Sequence, residues 1–145
     1  ETDLPMPKFD RVPIAEPVKD IKTAKIAIVT SGGVVPQGNP DRIESSNATR
    51  FGYYSIEGMD RLDKKDFFTV HGGYDRQFVL EDPNLAVPID AMRNLEKAGE
   101  FGELVNYFAA TTGTGTATGS AAKFGDAIGQ RLLEENVQAV ILTST

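Results

Sequence analysis

The chain has 145 residues, 40% of them hydrophobic and 25% charged, and a formal net charge of −6. This length and composition suit one globular α/β-sized domain with its own core. The absence of Cys and the single His argue against a disulfide framework, a thiolate metal centre or a His-rich zinc site within these residues, and the acidic balance argues against a nucleic-acid or anionic-membrane surface.

Residues 1–23 carry Pro5, Pro7, Pro13 and Pro17. Proline fixes φ and removes a backbone donor, so an extended arm or linker is expected here. The α/β domain is expected to occupy residues 24–145. Lys25 to Thr30 (K-I-A-I-V-T) reads as a buried strand that ends in the tight glycine turn Ser31-Gly32-Gly33. Gln37 to Pro83 is a long excursion rich in Gly, Asp, Asn and Ser, with a short strand predicted over Phe67 to Val70. A connection of that length inside a compact domain is usually functional.

Pro88 to Ala98 reads as a helix. Pro88 suits its first turn, Asp90 complements the positive end of the helix dipole and Gly99 suits the position just past its end. Ile89, Met92 and Leu95 share one predicted face. Leu104 to Ala109 is the next strand. It leads into the loop Thr111 to Gly119 (T-T-G-T-G-T-A-T-G). Ser120 is the expected N-cap of a helix whose apolar residues Ala121, Phe124, Ile128 and Leu132 recur at helical spacing, with Asn136 ending it. Val137 to Thr145 (V-Q-A-V-I-L-T-S-T) reads as a buried parallel strand running into a Ser/Thr-rich turn. Alternating strands and helices predict a three-layer or Rossmann-like parallel sheet with flanking helices.

No apolar run approaches the roughly 20 residues of a membrane span, and a cytoplasmic location is the default expectation. In an open parallel sheet, ligands gather in the loops past the carboxyl ends of the strands. Three such loops share one rim here: Thr30, Ser31, Gly32 and Gly33; Thr112, Gly113 and Gly115; and Thr143, Ser144 and Thr145. The glycine/threonine loop sits between a strand and a helix, the setting of a phosphate cradle. Its G-x-G-x-x-x-G spacing is not the dinucleotide fingerprint, and no Lys follows Gly119 as in a P-loop. An ordinary strand-to-helix turn explains it as well. His71 is the only side chain with an ordinary pKa near neutrality. With Gly72 and Gly73 beside it, Asp75 placed to orient it and Arg76 able to grip a carboxylate, His71, Asp75 and Arg76 are candidate substrate or partner contacts. A satisfied histidine in a turn is the plainer alternative.

Four blocks then resemble a known family. They are Ala24 to Asp41 (A-K-I-A-I-V-T-S-G-G-V-V-P-Q-G-N-P-D), His71 to Asp75 (H-G-G-Y-D), Glu81 to Lys97 (E-D-P-N-L-A-V-P-I-D-A-M-R-N-L-E-K) and Ala139 to Thr145 (A-V-I-L-T-S-T). Together they resemble selenoprotein B of the glycine, sarcosine and betaine reductases. The resemblance implies an oxidoreductase complex of amino-acid fermentation that cleaves a C–N bond reductively. It implies a selenocysteine nucleophile directly after the strand that ends in Thr145, in a Sec-Gly-Thr-Cys-type loop. It also implies a pyruvoyl group on a partner subunit of component B, selenoprotein A as a second partner, and a small amino-acid substrate. A selenolate is ionised at neutral pH and is a strong covalent nucleophile.

On this reading the chain is expected to be a piece of a longer protein, cut just before the selenocysteine. Residues 1–145 alone then hold no catalytic nucleophile and are expected to be inactive. The choice among glycine, sarcosine and betaine stays open, as does a homo-oligomer. A noncatalytic phosphate- or nucleotide-binding module using Thr111 to Ser120 is the alternative, and an interaction scaffold is a third.

Overall fold

The computed structural model describes residues 11–145. The positions of Pro5 and Pro7 lie outside the described residues. Arg11 to Lys19 forms neither helix nor strand and is exposed, and a short 3-10 turn at Ile21–Thr23 leads into the sheet.

The elements follow in chain order. β1 is Lys25–Thr30, β2 Val34–Pro36, β3 Gly52–Ser55 and β4 Phe67–Thr69. Then come α1 at Gln77–Glu81, α2 at Ile89–Lys97, β5 at Glu103–Ala110, α3 at Thr118–Glu134 and β6 at Ala139–Thr143. The main sheet has the order β3-β5-β1-β6. β1 runs parallel to β5 and to β6. β3 is antiparallel to β5, so the sheet is mixed rather than wholly parallel. β2 and β4 make a separate antiparallel pair.

Both faces of the main sheet are covered at β1 and β5, which is what their near-continuous apolar strands require. On one face Ile26, Ile28, Leu104 and Phe108 pack with Val34, Val35 and Phe67 of the small sheet and with Ile89 and Met92 of α2. On the other, Ala27, Val105 and Ala109 pack under Phe124, Ile128 and Leu132 of α3. The result is an α/β fold with three layers.

Several local readings needed correction. The excursion holds β4 where a short strand was read, and also β3 and α1, which were not read because its turns are set by residues at positive φ and by side-chain bonds rather than by apolar periodicity. Asn39 (φ 45°) is one case: its side chain accepts from Ile43 N–H and donates to Ile43 C=O, both at 2.9 Å. In α2, Leu95 is 44% exposed, and Arg93 is buried instead. Arg93 pairs with Glu96 at 2.7 Å and donates to Asn106 Oδ1 at 2.7 Å, tying the helix to β5. α2 ends at Gly99 with φ 67°, as expected. α3 begins earlier than Ser120: its N-cap is Ala117, and no side chain caps it. Ala121 is exposed, while Asn136 (φ 56°) ends the helix region as read. β6 is not buried. It pairs with β1 alone among the described residues, and Leu142 is 75% exposed.

Candidate functional site at the carboxyl rim of the sheet

Because β1, β5 and β6 are parallel, their carboxyl ends open on one edge. Backbone bonds lace the three loops together there. Ser31 N–H donates to Thr143 C=O (3.0 Å), Gly33 N–H to Thr111 C=O (3.0 Å) and Gly113 N–H to Ser31 C=O (2.9 Å). Thr145 reaches the same place, since a Cβ on Gly32 would lie 3.3 Å from its Cγ2. The three predicted rim segments therefore meet.

This lacing also decides what the rim amides are free to do. The amides of Ser31, Gly33 and Gly113 are bonded as above, Gly32 N–H is taken by Thr30 Oγ1 at 3.0 Å, and Thr116 N–H by Gly113 C=O at 3.1 Å. A phosphate cradle needs such donors unbonded and converging, so the bonded amides of Gly113 and Thr116 brace the turn and are not free to hold an anion. Its hydroxyls are a different matter. Thr112 is fully buried, and its Oγ1 has no hydrogen-bond partner among the described residues. Thr143 Oγ1 is likewise buried and unpartnered. Buried hydroxyls usually bond, so two orphans on one rim single it out.

His71 stands behind this rim, just past β4, and is 3% exposed. Gly73 N–H donates to His71 Nδ1 at 3.0 Å. The ring proton therefore sits on Nε2, which donates to Thr114 Oγ1 at 3.0 Å. Burial holds the imidazole pKa below its usual value, which favours this neutral form. The ring packs on Tyr74 with centroids 4.8 Å apart. Tyr74 Oη lies 3.1 Å from Gly32 C=O and 3.0 Å from Thr69 Oγ1, and Thr69 Oγ1 donates to Gly32 C=O at 2.9 Å. A chain of contacts thus joins β4, His71 and the loop after β5 to the Gly32-Gly33 turn. That turn is tight: Gly33 has φ 67°, and a Cβ there would lie 2.9 Å from His71 Cβ.

The structure separates His71 from its expected helper. Asp75 Oδ1 accepts from Gln77 N–H at 3.0 Å and so braces the start of α1. The orienting partner of His71 is Thr114, a residue that sequence reading passed over. The only signal for it was its place in a Thr/Gly alternation. Arg76 is exposed and makes no ion pair among the described residues. The described residues contain no cluster of three or more His, Cys, Asp or Glu able to hold a metal ion, and no helix among them is long and apolar enough to cross a membrane.

The model of the glycine/sarcosine/betaine reductase selenoprotein B family matches residues 1–145. Three relatives from Peptoclostridium acidaminophilum each align over 145 residues, all of this chain and 33% of their own length. The sarcosine reductase complex component B subunit beta is 61% identical, the glycine reductase complex component B subunit gamma 51%, and the betaine reductase complex component B subunit beta 48%. The chain thus spans about a third of the length of these relatives. No solved structure matches it.

Proposed function

The chain belongs to the glycine/sarcosine/betaine reductase selenoprotein B family, and from that premise we propose that it forms the reaction-site scaffold of an amino-acid reductase component B subunit. The observation that carries this reading is the convergence of the β1, β5 and β6 carboxyl ends on one rim, in a chain matched by that family over its whole length. In the full subunit a selenocysteine beyond β6 supplies an ionised nucleophile, and a pyruvoyl group on a partner subunit activates the amine. The rim fits a nucleophile of that kind. Thr112 and Thr143 bring two buried, unpartnered hydroxyls to it, and hydroxyl donors stabilise negative charge without a competing base.

The roles of this chain's own residues follow from their bonds. The Thr30–Gly33 turn and the Thr112–Gly115 loop hold the rim in shape. His71 stays neutral and braces Thr114. Arg76 is the cation available to a substrate carboxylate or to the partner subunit, and Asp75 fixes the turn from which it projects. Partners on this reading are the pyruvoyl-containing subunit of component B and selenoprotein A, with a cytoplasmic complex as the setting.

Sarcosine is the favoured substrate. Among three relatives from one organism, identity is 61% to the sarcosine component against 51% and 48% for the glycine and betaine components. The test is turnover by the reconstituted full-length complex with each substrate. The expected result is the highest kcat/KM for sarcosine, and a fall of about a hundredfold or more in kcat for Thr112→Val, the order expected for a lost charge-stabilising donor. Turnover of none of the three would overturn the reductase reading. Unchanged turnover in Thr112→Val and Thr143→Val would remove the rim from it.

A further inference from the structure

β6 is built like an interior strand and sits at an edge. Its sequence A-V-I-L-T has no Lys, Pro or Gly, the devices that usually protect an exposed strand. Ala139 and Ile141 pack against the core on one face. Val140 and Leu142, on the other, are 42% and 75% exposed. α3 covers β1 and β5 but not β6. An apolar groove of about 250 Å³ runs between them, lined by Val29, Gly125, Gly129, Leu132, Val140 and Leu142. Cβ atoms on Gly125 and Gly129 would meet nothing within 4 Å, so this flank of α3 is open to close approach. Leu133, on the same helix, is 75% exposed.

The opposite edge is finished differently. β3 is short and antiparallel. Its Tyr53 lies under the Arg131 guanidinium at 4.2 Å from the ring centroid, and Arg131 also covers Tyr107 at 4.2 Å. One edge of the sheet is closed by a cation over aromatic rings, and the other presents bare aliphatic side chains. Parallel sheets are ordinarily covered on both faces.

We propose that β6 is an interior strand of the full-length subunit. A further β-strand of the same polypeptide, from outside residues 1–145, pairs with its outer edge, and the apolar face of a helix from that region seats in the groove over Val140 and Leu142. The occupant is assigned to the same polypeptide because the relatives are about three times the matched length, so a subunit of that size carries chain for a strand and its crossover helix. A strand that follows in sequence would return by a helix of this kind, since parallel neighbours need a crossover of a dozen or more residues.

Amide hydrogen exchange on the full-length subunit, alone, tests this at high concentration and after dilution to monomer. The expected result is that peptides spanning 137–145 are as slow as those of β1 under both conditions. Protection lost on dilution would overturn it in favour of a second copy. Protection gained only with the pyruvoyl subunit present would overturn it in favour of that partner. Leu142→Lys provides an independent reading: a lower unfolding midpoint of the monomeric subunit supports an interior strand, and an unchanged midpoint refutes it.

Discussion

Replacing His71 by Ala removes a ring that is 3% exposed and bonded at both nitrogens. Each lost hydrogen bond costs about 0.5–1.5 kcal/mol net, and the Gly73 amide loses its acceptor. The vacated space beside Tyr74 adds a cavity cost, bringing the total to about 2–4 kcal/mol. For a domain of this size that lowers the melting midpoint by roughly 5–15 °C. The same geometry sets a pH dependence. The folded imidazole has a lowered pKa, so below about 6.5 the unfolded chain binds a proton that the folded chain resists. The contribution is complete above that pH and is lost progressively as pH falls below it. Glu44, Asp82 and Glu135 also have lowered pKa values, but their contributions fade only in the more acidic range where carboxylates protonate. The assay is unfolding of the wild-type and His71→Ala subunits at pH 7.5 and 5.5. Wild type should lose stability at the lower pH, and the difference between the two proteins should shrink. A variant that unfolds like wild type, or a difference independent of pH, would refute the neutral Nε2-protonated assignment.

Two further outcomes are expected from other positions. Gly73→Ala places a methyl against Thr114 Oγ1 and 2.9 Å from His71 Cε1; it should cost about 1–3 kcal/mol in denaturant unfolding, as overpacking does, whereas Gly119→Ala, in open space, should not destabilise. Arg93→Ala strips Glu96 of its ion pair and Asn106 of its donor at a site where the Arg93 side chain is 11% exposed; the loss should approach the ~3–5 kcal/mol of a broken buried pair, and a urea midpoint within error of wild type would contradict that burial.

What could be read beforehand was what periodicity and end signals encode. β1, β5 and α3 announce themselves by apolar spacing, and Gly99 and Asn136 mark ends because positive φ is required there. The rim was legible for the same reason: once three strands are parallel, the loops after them must share an edge. The hidden parts depend on pairing across long sequence distances. Nothing local in Gly52-Tyr53-Tyr54-Ser55 says that it runs antiparallel to β5. Leu95 is exposed and Arg93 buried because Glu96 and Asn106 satisfy the guanidinium, a partnership invisible to a hydrophobic pattern. Thr114 was missed since a hydroxyl has no signature until its imidazole is folded against it.

The rim residues Thr30, Ser31, Gly32, Gly33, Thr112, Gly113, Thr143, Ser144 and Thr145 have no ionisable side chain, and the histidine behind them is held neutral. A charge brought to those residues is met by their dipoles, and the cation assigned to the site, Arg76, is not one of them. Dipoles of this kind neither titrate across the physiological range nor quench an anion by pairing with it. They also carry no ion atmosphere to exchange, so the affinity of the rim itself for an anion should vary little with ionic strength.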